Sequence, residues 1–143
     1  MSELLEAVSE LVPFMRSRAE ALDRDAAFPT AEIDRLRQAG ALAPPLPVLG
    51  TGKADELAAL LRLAGQGNLS VGRILEAHVN ALHLIARYGS VPPADDRLFA
   101  LWVTDPTEGG LQMRRAGNRI CRDGGKQFCS AAGHGSGALV TAR

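Results

Sequence analysis

Gly67 to Ser90 reads GNLSVGRILEAHVNALHLIARYGS, and its reading decides the fold. Val71, Ile74, Leu75, Val79, Leu82, Ile85 and Ala86 recur at helical spacing and cover a wide face. A face that wide belongs to a helix buried in a bundle. Ser70 is the expected start, Tyr88 the approximate end, and Gly89 the stop. Val91-Pro92-Pro93 then makes a rigid exit, and beyond it the apolar period changes. Leu98 to Val103 is a short apolar run with Trp and Val, the pattern of a strand. The chain therefore divides here, with helices before and strands after.

Working toward the N-terminus, Ser2 caps a first helix with Leu4, Leu5, Val8, Leu11, Val12 and Met15 at helical spacing. Pro13 falls inside this pattern and predicts a kink or short break, since it cannot donate to the i−4 carbonyl. Thr30 is the expected N-cap of a second helix carrying Ile33, Leu36 and Ala39, with Gly40 at its left-handed end. Ala43 to Gly52, APPLPVLGTG, is too rich in Pro and Gly for helix or central strand. Lys53 to Ala64 reads as a third helix, ended by Gly65 and Gly67.

Toward the C-terminus, Arg119 to Arg122 and Lys126 to Ser130 flank Asp123-Gly124-Gly125, a hairpin signal. Leu139 to Ala142 looks like another strand, with partners still to come. The expected class is α+β: an all-helical bundle over 1–93, followed over 94–143 by the first strands of an incomplete antiparallel β-domain.

Composition narrows the function. Sixteen basic residues balance sixteen acidic ones, which leaves no electrostatic footprint for nucleic acid or an anionic membrane. No apolar run approaches the ~20 residues of a membrane span. The N-terminus MSELLEAVSEL carries acids where a secretory signal carries Lys or Arg, which points to the cytoplasm. Two cysteines, Cys121 and Cys129, are too few for a disulfide framework or zinc ribbon and read as free thiols. His78 and His83, five apart on one helix, point to different faces and make no metal pair; helix packing or surface is their expected role. His134, between two glycines, reads as a solvated loop residue. The glycines of Gly65 to Ser70 precede a helix but lack the lysine of a phosphate loop, so that reading is rejected.

Two segments carry the chemistry. The strand after the long helix ends in Trp102-Val103-Thr104-Asp105-Pro106-Thr107-Glu108-Gly109-Gly110, and Gly124-Gly125-Lys126-Gln127-Phe128-Cys129-Ser130 follows. In this order, behind a helical front, they resemble the flavin-contacting part of the acyl-CoA dehydrogenase family. The first is similar to that family's Thr-Glu-Pro-x-x-Gly-Ser turn, the second to its Gly-x-Lys-x-aromatic-x-Thr/Ser pattern. The resemblance implies FAD as cofactor. It implies Trp102, Val103, Thr104, Gly109, Phe128, Cys129 and Ser130 as its contacts, with the Thr104 and Ser130 hydroxyls donating and Phe128 against the ring. A strand at Lys126 to Ser130 would turn the Cys129 side chain the other way, buried and inert; Phe128 weighs equally as a core residue. Outside the family context, Thr104-Asp105-Pro106 reads as a simple turn.

Gly110 stands where the family has a substrate-contacting serine, which opens the substrate question. The stretch Leu111 to Asp123 is short for the family and implies a trimmed strand or loop. The family's catalytic carboxylate lies in a later helical domain, so no catalytic residue is expected here. The leading expectation is an FAD-dependent oxidoreductase performing α,β-dehydrogenation of an acyl-CoA thioester, its base supplied elsewhere. The alternatives are a non-catalytic remnant bound to a longer flavoprotein, or a flavin-dependent monooxygenase of the same superfamily. Expected partners are an acyl-CoA or related small molecule and a homo-oligomer or partner flavoprotein chain.

Overall fold

The computed structural model describes residues 2–43, 54–89 and 95–143. Among these residues four helices come first: α1 (Glu3–Arg24), α2 (Thr30–Gln38), α3 (Ala54–Gly67) and α4 (Leu69–Tyr88). Four strands follow: β1 (Phe99–Trp102), β2 (Gln112–Ala116), β3 (Arg119–Asp123) and β4 (Gly137–Val140). The class is α+β. The Pro- and Gly-rich loop beyond Ala43 and the Val91-Pro92-Pro93 exit lie outside the described residues.

Local chemistry explains most boundaries. Ser2 Oγ accepts from the Leu5 N–H at 3.4 Å, as expected of the α1 cap. Helix α1 nevertheless runs unbroken through Pro13, because Leu5, Val8 and Met15 on one face are buried and hold the turns on either side. Thr30 is the first residue of α2 and makes no capping bond; Pro29 occupies the cap position. At the other end Gly40 takes φ +83°, with Gly40 N bonded to Arg37 O and Ala41 N to Leu36 O. That pair of bonds is a Schellman closure, which a side chain at Gly40 would strain.

Two sequence expectations on α3 and α4 are corrected. Gly65 does not end α3 but lies within it, and Gly67 is its last residue; both stand at close approaches. A Cβ on Gly67 would meet Met15 Cβ at 2.9 Å, and one on Gly72 would meet Gly65 Cα at 2.8 Å. The glycines let α1, α3 and α4 pack closer than side chains would allow. Asn68, not Ser70, caps α4: its Oδ1 accepts from Ser70 N at 2.9 Å and Val71 N at 3.3 Å. Val8, Met15, Leu36, Leu60, Ala64, Val71 and Leu75 form the core among these helices.

The strands depart from a purely antiparallel order. β1 and β4 pair in parallel, Phe99 against Gly137 through Trp102 against Val140. β2 and β3 pair antiparallel, Gln112 against Asp123 through Ala116 against Arg119. The chain after β4 links the two pairs. Thr141 N bonds Trp102 O, Arg143 N bonds Leu111 O, and Met113 N bonds Arg143 O. The two-stranded sheets β1–β4 and β2–β3 are thereby held side by side by the segment that follows β4.

The hairpin turns at Gly117-Asn118, with Gly117 at φ +61°, rather than at Asp123-Gly124-Gly125. Leu111 to Asp123 thus holds a whole hairpin. Lys126 to Ser130 is not a strand: Phe128 and Ala131 adopt φ of +54° and +60°, which no ladder accommodates.

Candidate functional site

Helix α4 anchors the sheet through one buried histidine. His78 is fully buried, and its Nδ1 accepts the Phe99 N–H at 3.1 Å. That acceptor role puts the proton on Nε2, which faces the Leu42 carbonyl at 3.3 Å. Burial holds the imidazole below its ordinary pKa, in the neutral form this double contact requires. The carbonyl of Leu42 pulls the other way, and the Arg37 charge adds to the lowering. His83 is half-buried, and its Nε2 has no hydrogen-bond partner among the described residues. Among the described residues, no group of His, Cys, Asp and Glu could hold a metal ion.

The end of β1 meets the second segment just beyond. Trp102 Nε1 donates to the Ser130 carbonyl at 3.0 Å, and the Gln127 N–H donates to the Thr104 carbonyl at 3.0 Å. Lys126 joins them. Its side chain is only 4% exposed, and its ammonium bonds Asp105 Oδ1 and, at 2.7 Å, Thr141 Oγ1. The Val103 carbonyl accepts from Thr141 Oγ1 at 3.3 Å and from Lys126 Nζ at 3.5 Å. Hydrogen bonding from Lys126 holds the Asp105 carboxyl below the usual range; Arg143 and the Leu111 N–H add to this.

The two turns also touch through glycine backbone. Gly124 sits at φ +99°, and a Cβ there would lie 2.5 Å from the Gly110 carbonyl oxygen. A Cβ on Gly110 would in turn meet the Asp105 carboxylate at 2.7 Å. Close approach accounts for glycine at Gly110 within this structure.

The expected contact residues do not share one environment. Trp102, Val103, Thr104 and Ser130 are drawn together by the bonds above. Phe128 projects outward at 84% exposure, so its reading as a core residue is overturned. Gly109 takes φ +67°, and a Cβ added there would meet nothing within 4 Å. Among the described residues the Thr104 and Ser130 hydroxyls make no hydrogen bond. Cys129 is half-buried rather than buried, because its segment is a turn, and Cys121 is exposed.

Cys129 and Ser130 also border an open cleft of about 640 Å³ between the helices and the turn that precedes β4. Phe28, Pro29, Leu69, Arg73 and His134 line it too. His134 is stacked on Phe28, ring centroids 4.0 Å apart and planes within 1°, instead of standing free in a solvated loop. Left-handed Ala26 and Ala131 turn the chain at the cleft wall.

Sequence reasoning missed the clamp of Asp105, Lys126 and Thr141 and the strut at His78. One signal was available: the chain has only two lysines, and Lys126 faces an acid in the matching turn. Comparison of the sequence with family models and with curated proteins finds no match.

Proposed function

We propose that this chain supplies the flavin-facing wall of an FAD-dependent oxidoreductase of acyl-CoA dehydrogenase type. One observation carries the reading. Two segments far apart in sequence are clamped by Lys126 and Asp105; among the described residues the Thr104 and Ser130 hydroxyls are unpaired, and Phe128 of the second segment is exposed. The residues suit a flat ring with a polar edge: an aromatic face, two free hydroxyls and an open glycine at Gly109. An aromatic residue held at φ +54° costs about 1–3 kcal/mol, a strain typical of ligand clamps.

Flavin, when bound, supplies two-electron acceptance. The chain's own residues bind and orient. Thr104 and Ser130 donate hydrogen bonds to the ring's polar edge, which stabilises negative charge there. Phe128 covers one face and excludes water. Lys126 holds both turns in register and leaves Asp105 ionised. No residue here takes the α-proton of an acyl thioester in this reading, and that base comes from outside residues 1–143. A cytoplasmic setting goes with this proposal, and among the described residues no helix is long and apolar enough to cross a membrane.

The test is direct. Protein incubated with FAD and desalted retains flavin absorbance, and Phe128→Ala and Thr104→Val lower the affinity. Protein that leaves the column colourless at saturating FAD refutes the reading. In the flavin-loaded form, acyl-CoA turnover against oxygen consumption separates dehydrogenation from the monooxygenase alternative.

A further inference from the structure

Strand β3 ends the sheet. Gly117-Asn118 closes the hairpin on the pair Ala116 and Arg119, so Arg119, Cys121 and Asp123 turn their backbone groups toward β2. Ile120 and Arg122 turn theirs outward. Among the described residues nothing bonds to them there. All ten residues of β2 and β3 are exposed, Ile120 at 65% and Met113 at 54%. No Pro or bulge blunts this edge.

The edge sequence Arg119-Ile120-Cys121-Arg122-Asp123 is complementary to itself when reversed. We propose that β3 pairs antiparallel with β3 of a second copy about a two-fold axis at Cys121. Ile120 and Arg122 then exchange backbone hydrogen bonds with Arg122 and Ile120 of the second copy, the two residues whose groups point outward. On one face Arg119 opposes Asp123 of the second copy, twice by symmetry, and Cys121 meets its own counterpart. On the other face each Ile120 lies between the aliphatic stems of Arg115 and the second copy's Arg122.

Charge selects this register and this partner. Shifting the axis to Arg122 sets arginine against arginine, and shifting it to Ile120 leaves both ion pairs unmade. A uniformly acidic foreign strand would meet Asp123. The hairpin's own cross-strand neighbours of Arg119 and Asp123 are Ala116 and Gln112, both uncharged, so the two charges have no partner within the hairpin. This proposal is independent of flavin binding.

Sedimentation velocity across a concentration series, with Cys121 as reporter, tests it. The wild-type chain should reach twice 15.1 kDa at high concentration. Arg119→Asp and Asp123→Arg each set like charges opposite one another twice, raising the dimer dissociation constant roughly tenfold or more. The double variant exchanges the two charges, restores both ion pairs and recovers wild-type dimerisation. In a Cys129→Ser background, diamide should join Cys121 to Cys121. The two lie at a non-hydrogen-bonded pair with Cα atoms about 4.5 Å apart, within disulfide reach. A chain that stays monomeric at every concentration overturns the proposal. So does a dimer indifferent to the single reversals, a double variant that fails to recover, or a Cys121 that stays uncoupled.

Discussion

Replacing His78 with leucine should unfasten the sheet from the helices. Leucine fills a similar volume, so cavity formation is a small part of the cost. The larger part is two backbone groups left without partners, the Phe99 N–H and the Leu42 carbonyl. Each stranded group costs about 1–3 kcal/mol, and together about 3 kcal/mol is expected. That is a large fraction of the roughly 5–15 kcal/mol that holds a domain folded. With a urea slope near 1.5 kcal/mol/M, the unfolding midpoint should fall by about 2 M.

The same substitution carries a pH signature. Burial lowers the His78 pKa in the folded state from 6.5, so below that pH the unfolded chain takes up a proton that the folded chain refuses. Stability is therefore full above pH 6.5. It falls as pH drops from there toward the folded value, by at most about 1.4 kcal/mol per pH unit. Asp105 acts in a separate, lower window: its folded pKa lies below 3.8, so its contribution is full above 3.8 and is lost as pH falls from there through the lowered value. Urea titrations of wild type and His78→Leu from pH 7.5 to 5 read both effects. A variant within 0.3 M of wild type, or one that keeps the wild-type acid sensitivity in that range, refutes the assignment of His78 as a neutral strut (thresholds of roughly 0.4 kcal/mol at the slope above).

Three further outcomes are expected. Gly67→Ala should lower stability by about 1–3 kcal/mol, read by denaturant unfolding, because its Cβ meets Met15 Cβ at 2.9 Å where α1 and α3 touch. Gly124→Ala should cost about 2 kcal/mol or more, read by thermal unfolding, since it combines φ +99° with a backbone oxygen at 2.5 Å. Lys126→Met should leave the helical circular dichroism unchanged while weakening FAD binding, because it frees the two turns from one another without touching the bundle; unchanged affinity would remove the clamp from the proposed site.

The helices were legible because each signal is local. Helical spacing marks α1 and α4, Ser2 marks a cap, and Gly40 marks a left-handed closure, each within a few residues of the structure it specifies. The same locality misled where two residues competed for one role. Asn68 displaced Ser70 as the α4 cap because its carboxamide oxygen reaches both the second and third N–H ahead of it. Gly65 looks like a stop, yet it sits inside α3 against Gly72, while Gly67 both ends α3 and abuts Met15. The hairpin was missed at Gly117-Asn118, a two-residue loop, in favour of the more glycine-rich Gly124-Gly125.

Read alone, the chain established an α+β order, helices before strands, and two segments that resemble flavin-contacting turns. Alternation of apolar residues and the stereochemistry of caps are properties of neighbours along the chain, so a linear reading reaches them. Tertiary structure decided that β4 pairs parallel to β1 and that its continuation joins β2. It decided that His78 is a buried neutral strut, and that Lys126 draws Asp105 and Thr141 together from 21 and 15 residues away. Strand partners and ion pairs between distant segments depend on which groups meet in space, and only the packed chain brings those groups together.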